Sequence, residues 1–234
     1  MKKIILFNVL LLVFVSAPVF GGITLDVTRH TGYYTSPGGE FTIVTDDLDV
    51  LGLYDEDAKV GDGFQSFCLE GNEGLGAKTF DAILNNGAVA GGVGGAAGGK
   101  DIISQATAWL YQGFAKGVLS GYDYTPGAGR AAEAYKLQKA FWFLEDEIAS
   151  IPIAEADYVN MAISQFGSLN NAKADYTGGA VAVLNLYAVG HAGDPQYLKQ
   201  DQLVLIPAPG ALLLCGIGLM TVRRFRDGRA LLER

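Results

Sequence analysis

Histidine and cysteine are nearly absent from this chain, with two of each in 234 residues. His30 and His191 lie far apart, and neither has a cysteine or second histidine close by, so no zinc-ligand spacing is formed. A Gly-x-Ser-x-Gly element, the nucleophile turn of many serine hydrolases, is missing. The loop Gly94 to Asp101 nearly matches a phosphate-cradling Gly-x-x-x-x-Gly-Lys-Ser/Thr. It ends in Asp101 where a hydroxyl is needed, and a carboxylate there repels phosphate. Acidic residues at Asp46, Asp47, Asp49, Asp55, Glu56 and Asp57 lack the alternating ligand order of a calcium loop and read as solvated turns. No internal repeat is evident. These absences point to a protein that is not an enzyme and carries no metal and no cofactor.

Basic residues are also scarce where a domain would fold. Seven of the 17 basic and two of the 25 acidic residues fall in the terminal segments, so residues 22–206 carry 10 basic against 23 acidic, a net of −13. A surface of that sign repels phosphate backbones and anionic membranes, which excludes nucleic acid as a partner.

What is abundant is apolar sequence, concentrated at the ends. Lys2 and Lys3 precede a run from Ile4 to Val15 broken only by Asn8, then Pro18 and small residues up to Gly21, the pattern of a cleavable signal peptide over residues 1–21. At the other end Pro207-Ala-Pro209-Gly210 leads into an apolar stretch to Val222, closed by Arg223, Arg224 and Arg226. The arginines resist leaving the cytoplasm, and the apolar stretch is slightly short for a permanent span. Residues 207–234 thus form a sorting tail that joins the membrane transiently in the precursor, with a plain C-terminal anchor as the alternative.

Between these segments, 22–206 reads as one extracellular α+β domain. Thr24 to Thr28 and Glu40 to Thr45 alternate like half-buried strands of a hairpin, and Phe64 to Glu70 reads as a third strand. Asp101 is placed to cap a helix carrying Ile102, Ala106, Leu110 and Phe114, ending at Gly117. A second helix runs from Arg130 to about Ala149 with Pro152 as its stop, and a third covers Ala154 to Phe166. Ala180 to Tyr187 and Gln202 to Ile206 return to strand chemistry. A sheet or sandwich completed by the N- and C-terminal segments, with an inserted helical subdomain, is expected.

The tail sequence resembles the PEP-CTERM sorting signals of bacteria, with Ala208 in place of the usual glutamate. That resemblance implies processing by an exosortase-type enzyme near Pro207, Pro209 and Gly210, and delivery to the cell surface or extracellular matrix. Cys215 belongs to the tail, which leaves Cys68 as an unpaired cysteine in an exported domain. Its setting, Phe67-Cys68-Leu69-Glu70, and the helix segment Leu137-Gln138-Lys139-Ala140-Phe141-Trp142 resemble the paired motifs of bacterial thioester domains, with Phe141 replacing an aliphatic residue.

The second resemblance implies an internal thioester between Cys68 and Gln138, walled by Phe67, Phe141 and Trp142, with Glu70 or Glu145 handling a proton. The acyl group would pass to an amine or hydroxyl on a surface partner. From another class comes a noncovalent structural matrix protein that binds extracellular polysaccharide through Tyr111, Tyr122 and Tyr124.

Overall fold

Ile23, Leu25 and Val27 alternate with more exposed neighbours, the pattern of a strand with one buried face. In the computed structural model, which describes residues 22–89, 92–93 and 100–207, these residues form β1 (Ile23–Thr28). Then come β2 (Tyr34–Thr35), β3 (Gly38–Gly39), β4 (Phe41–Val44), β5 (Lys59–Val60), β6 (Gly63–Ser66), β7 (Thr79–Asn85), β8 (Gly87–Val89) and β9 (Lys100–Ile102). Helices α1 (Gln105–Ala115), α2 (Ala128–Leu144), α3 (Asp157–Phe166) and the single turn α4 (Leu169–Ala172) follow, then β10 (Val181–Tyr187) and β11 (Leu198–Leu205).

Seven strands make one sheet in the order β11-β10-β7-β1-β4-β6-β5, and each neighbouring pair is antiparallel. The fold class is therefore α+β, with a sheet built from both ends of the described chain and the helices between them. β1 and β4 form the expected hairpin, with the small β2–β3 hairpin inserted at its turn. Register places Val27, Ile43 and Phe64 on one face, with Leu25 opposite Phe80 and Ile23 opposite Ala82, and all of these are buried.

The sheet curls until its ends meet. Phe67, Cys68 and Leu69 leave the β4 pairing and join β11 instead: Leu203 N donates to Phe67 O at 3.0 Å, Leu69 N to Asp201 O at 3.1 Å, and Cys68 faces Gln202. This seam corrects the expectation of one continuous strand from Phe64 to Glu70. Helix α1 packs against it through Tyr111 and Phe114. Phe114 and Phe141 meet Phe67 edge-on at 5.0 and 5.2 Å, and the buried Tyr111 hydroxyl lies 3.1 and 3.0 Å from the carbonyls of Gln65 and Leu203.

Three boundaries differ from expectation. Lys100–Ile102 pairs with Gly87–Val89, so Asp101 sits in a strand, and Ser104 caps α1 by accepting from Thr107 N. Helix α2 stops at Leu144, well before Pro152. Asp146 adopts φ 62°, Glu147 N donates to Trp142 O at 2.7 Å and Asp146 N to Phe143 O at 3.4 Å, a left-handed C-terminal cap. The third helix begins at Asp157, after a 3-10 turn at Ile153–Glu155. Strand β7, an interior strand between β10 and β1, was not anticipated. Among the described residues no helix is long and apolar enough to cross a membrane.

Candidate functional site

Gln138, Phe141 and Trp142 stand at i, i+3 and i+4 on α2 and so share one face. That face meets the seam and the β2–β3 hairpin. The approach is close because Gly38 has no side chain: a Cβ there would stand 2.6 Å from Gln138 Cγ and 3.1 Å from Trp142 Cη2.

The structure brings Cys68 and Gln138 together, and both are buried. Gln138 Nε2 donates to Cys68 O at 2.7 Å, while Cys68 N donates to Gln138 Oε1 at 3.3 Å. The amide thus takes the place of a neighbouring strand where β4 has turned away. These two bonds also fix which end of the amide is oxygen, because a flip would set donor against donor and acceptor against acceptor. Cys68 Sγ lies 3.2 Å from Gln138 Oε1 and donates to it. Phe67 and Phe141 close one side of the pair through their edge contact.

Burial, with a smaller contribution from the nearby Glu70 charge, pushes the Cys68 thiol well above its ordinary pKa. The Trp142 indole N–H opposes that rise, and it has no partner of hydrogen-bond geometry among the described residues. Glu70 is buried and accepts from Asp201 N at 2.8 Å, and burial together with the neighbouring Asp201 carboxylate pushes its pKa well above the ordinary carboxyl value. Burial likewise raises Asp201 to about 7, although it accepts from Val89 N, Leu186 N and Asn185 Nδ2.

Four buried side-chain atoms have no hydrogen-bond partner among the described residues: Glu70 Oε1, Trp142 Nε1, Gln202 Oε1 and Glu155 Oε2. Three of the four belong to residues around Cys68. Unsatisfied buried polar atoms are rare in folded proteins, and their concentration here marks a place where polar chemistry has a use.

Other expected site residues lie elsewhere. Glu145 accepts from Ser104 N at 3.1 and 3.3 Å, so it anchors the start of α1 and makes no bond to Cys68 or Gln138; burial raises its pKa to about 7. Tyr111 and Tyr122 are core residues, and the Tyr124 hydroxyl is turned to Phe114 O at 3.0 Å, which removes them as a sugar-facing set. Asp47 accepts from Thr24 N and Asp55 caps a 3-10 turn, so both serve local backbone. His30 meets the Thr28 hydroxyl and His191 stacks on Tyr197.

Of the sorting motif only Pro207 is described; Pro209, Gly210, Arg223, Arg224 and Arg226 lie outside the described residues, as do the signal peptide and most of the Gly94 to Asp101 loop. Gly38, Asp201 and Gln202 were missed in the sequence. A signal existed for the last two, since Gln200-Asp201-Gln202 is a polar triplet beside the apolar run Leu203 to Ile206. No family model, no curated protein and no solved structure matches the chain.

Proposed function

We propose that this chain is exported, released by processing near Pro207-Ala-Pro209, and attached covalently to a surface or matrix partner through a thioester between Cys68 and Gln138. One observation carries the reading: a buried cysteine has its sulfur 3.2 Å from the amide oxygen of a glutamine that is clamped to the same cysteine's backbone.

The chemistry balances with the residues present. Cys68 Sγ attacks Gln138 Cδ, an S–C bond forms, and negative charge develops on Oε1. The Cys68 N–H, 3.3 Å away, is oriented to stabilise that charge. The C–N bond breaks and nitrogen leaves with the thiol proton as ammonia. Holding the groups together replaces a bimolecular encounter, and the apolar walls of Phe67, Phe141 and Trp142 restrain hydrolysis. A partner amine or hydroxyl then adds to the same carbon, the S–C bond breaks, and the partner's proton ends on the sulfur. Glu70, two residues along the chain from Cys68 and raised well above the ordinary carboxyl pKa by burial, is the group suited to pass a proton in either step.

Intact-mass spectrometry tests the reading. Freshly purified protein should be lighter by one ammonia than the mass of its processed sequence, regain mass as a methylamine adduct, and lose both behaviours in Cys68→Ala and Gln138→Ala processed in the same way. Full sequence mass with an alkylatable Cys68 in fresh folded protein overturns it. Peptides from Arg229 to Arg234 still attached in surface material would favour a permanent anchor over processing.

A further inference from the structure

Gln202 stands directly across the seam from Cys68. The bonds Leu203 N to Phe67 O and Leu69 N to Asp201 O flank the two residues, which makes them the non-hydrogen-bonded kind of antiparallel pair. In such a pair the Cα atoms approach to about 4.5 Å and the side chains leave on the same face. Leu184 is paired with Gln202 on the other side, and Leu84 with Leu184, so the remaining neighbours in that row offer no polar group. Gln202 is fully buried, its Nε2 lies 3.5 Å from Gln200 O, and its Oε1 has no partner. A buried acceptor left unpaired is destabilising, a cost that an apolar side chain of the same length would not incur.

The thiol has a matching need. Its S–H is directed at Gln138 Oε1, whereas attack requires the sulfur lone pair to face Gln138 Cδ. The S–H must therefore leave Oε1 and find another acceptor inside a buried site. Glu70 is turned to the backbone of Asp201, whose N–H its Oε2 accepts at 2.8 Å.

We propose that Gln202 is the positioning residue for the Cys68 thiol, its Oε1 accepting the S–H as the sulfur turns from Gln138 Oε1 to Gln138 Cδ. The kinetic consequence rests on the thioester reading; the contact itself does not. As the S–C bond forms and the C–N bond breaks, the thiol proton departs on ammonia, and Gln202 gains and loses only a hydrogen bond.

Two measurements on the full chain carrying Cys215→Ser, in which Cys68 supplies the sole S–H, decide the matter. Gln202→Met should slow ammonia loss about tenfold or more, and Gln202→Glu, which keeps length and an acceptor oxygen, should restore most of the rate. Raman spectra of Gln138→Leu should show an S–H stretch still shifted by a hydrogen bond, and Gln138→Leu/Gln202→Met a stretch at the free-thiol position. Equal and measurable ammonia-loss rates in wild type and Gln202→Met, or identical S–H bands in the two Gln138→Leu proteins, overturn the proposal. If wild type loses no ammonia the thioester reading fails alone, and the Raman comparison still decides the Gln202 contact.

Discussion

Gly38 lies so close under Gln138 that a methyl group added to its backbone would stand 2.6 Å from Gln138 Cγ. The short β2–β3 hairpin therefore sets how near α2 can bring its amide to Cys68. Gly38→Ala should push the hairpin and helix apart, lower stability by about 1–3 kcal/mol as overpacked sites do, and slow ammonia loss. Urea unfolding and intact mass of the same preparation check both effects.

Gln138 satisfies the backbone of Cys68 at a buried strand edge through two bonds. Gln138→Ala leaves a buried N–H and a buried C=O without partners. Stability should fall by about 1–3 kcal/mol for each unsatisfied group, independent of any covalent bond. Cys68→Ala retains both backbone bonds and should be much the milder variant in urea, so the difference between the two measures the clamp.

Arg130 and Glu40 form a buried ion pair, with Nε to Oε1 at 2.6 Å and Nη2 to Oε2 at 2.8 Å, and the Tyr122 hydroxyl donates to Glu40 Oε1 at 2.6 Å. Arg130→Met strands a buried carboxylate and should cost about 3–5 kcal/mol. Glu40→Gln/Arg130→Met, which removes both charges, should recover part of that loss in equilibrium unfolding.

Stability should fall as pH rises from about 4 through about 7. Asp201 and Glu145 are raised from 3.8 and 4.5 to about 7 in the folded protein, chiefly by burial, and Glu70 moves the same way. Between the unfolded and folded pKa values the native state binds more protons, so alkalisation favours unfolding. Urea midpoints measured across that range should decline, and Glu145→Gln should flatten the slope. A rising slope would mean these carboxyls are not held protonated.

Local pattern made much of this molecule legible. The alternation of Ile23, Leu25 and Val27, the α2 face carrying Gln138 and Trp142, and the apolar run of β10 are visible because each answers to its own periodicity. Strand β7 was missed although Phe80, Ala82 and Leu84 alternate, because Asp81 interrupts the run and glycine-rich sequence precedes it. Asp101 resembles a helix cap in isolation, and only its pairing with the distant Ala88 places it in a strand. The Cys68–Gln138 approach could be expected from motif resemblance. The Cys68–Gln202 seam could not, since nothing local to either segment specifies that the sheet's two ends meet there.

That seam also governs how the domain would bear tension. The chain leaves β11 at Leu205 and runs directly toward Pro207, so a load applied from the C-terminal side acts along the axis of β11. β11 is bonded to β10 on one side and to Phe67–Leu69 on the other. Its hydrogen bonds would be loaded together in shear, not peeled one at a time, and Cys68 lies within the row that resists. A pull on the C-terminal end of the domain would thus be carried through the strand that lies beside Cys68.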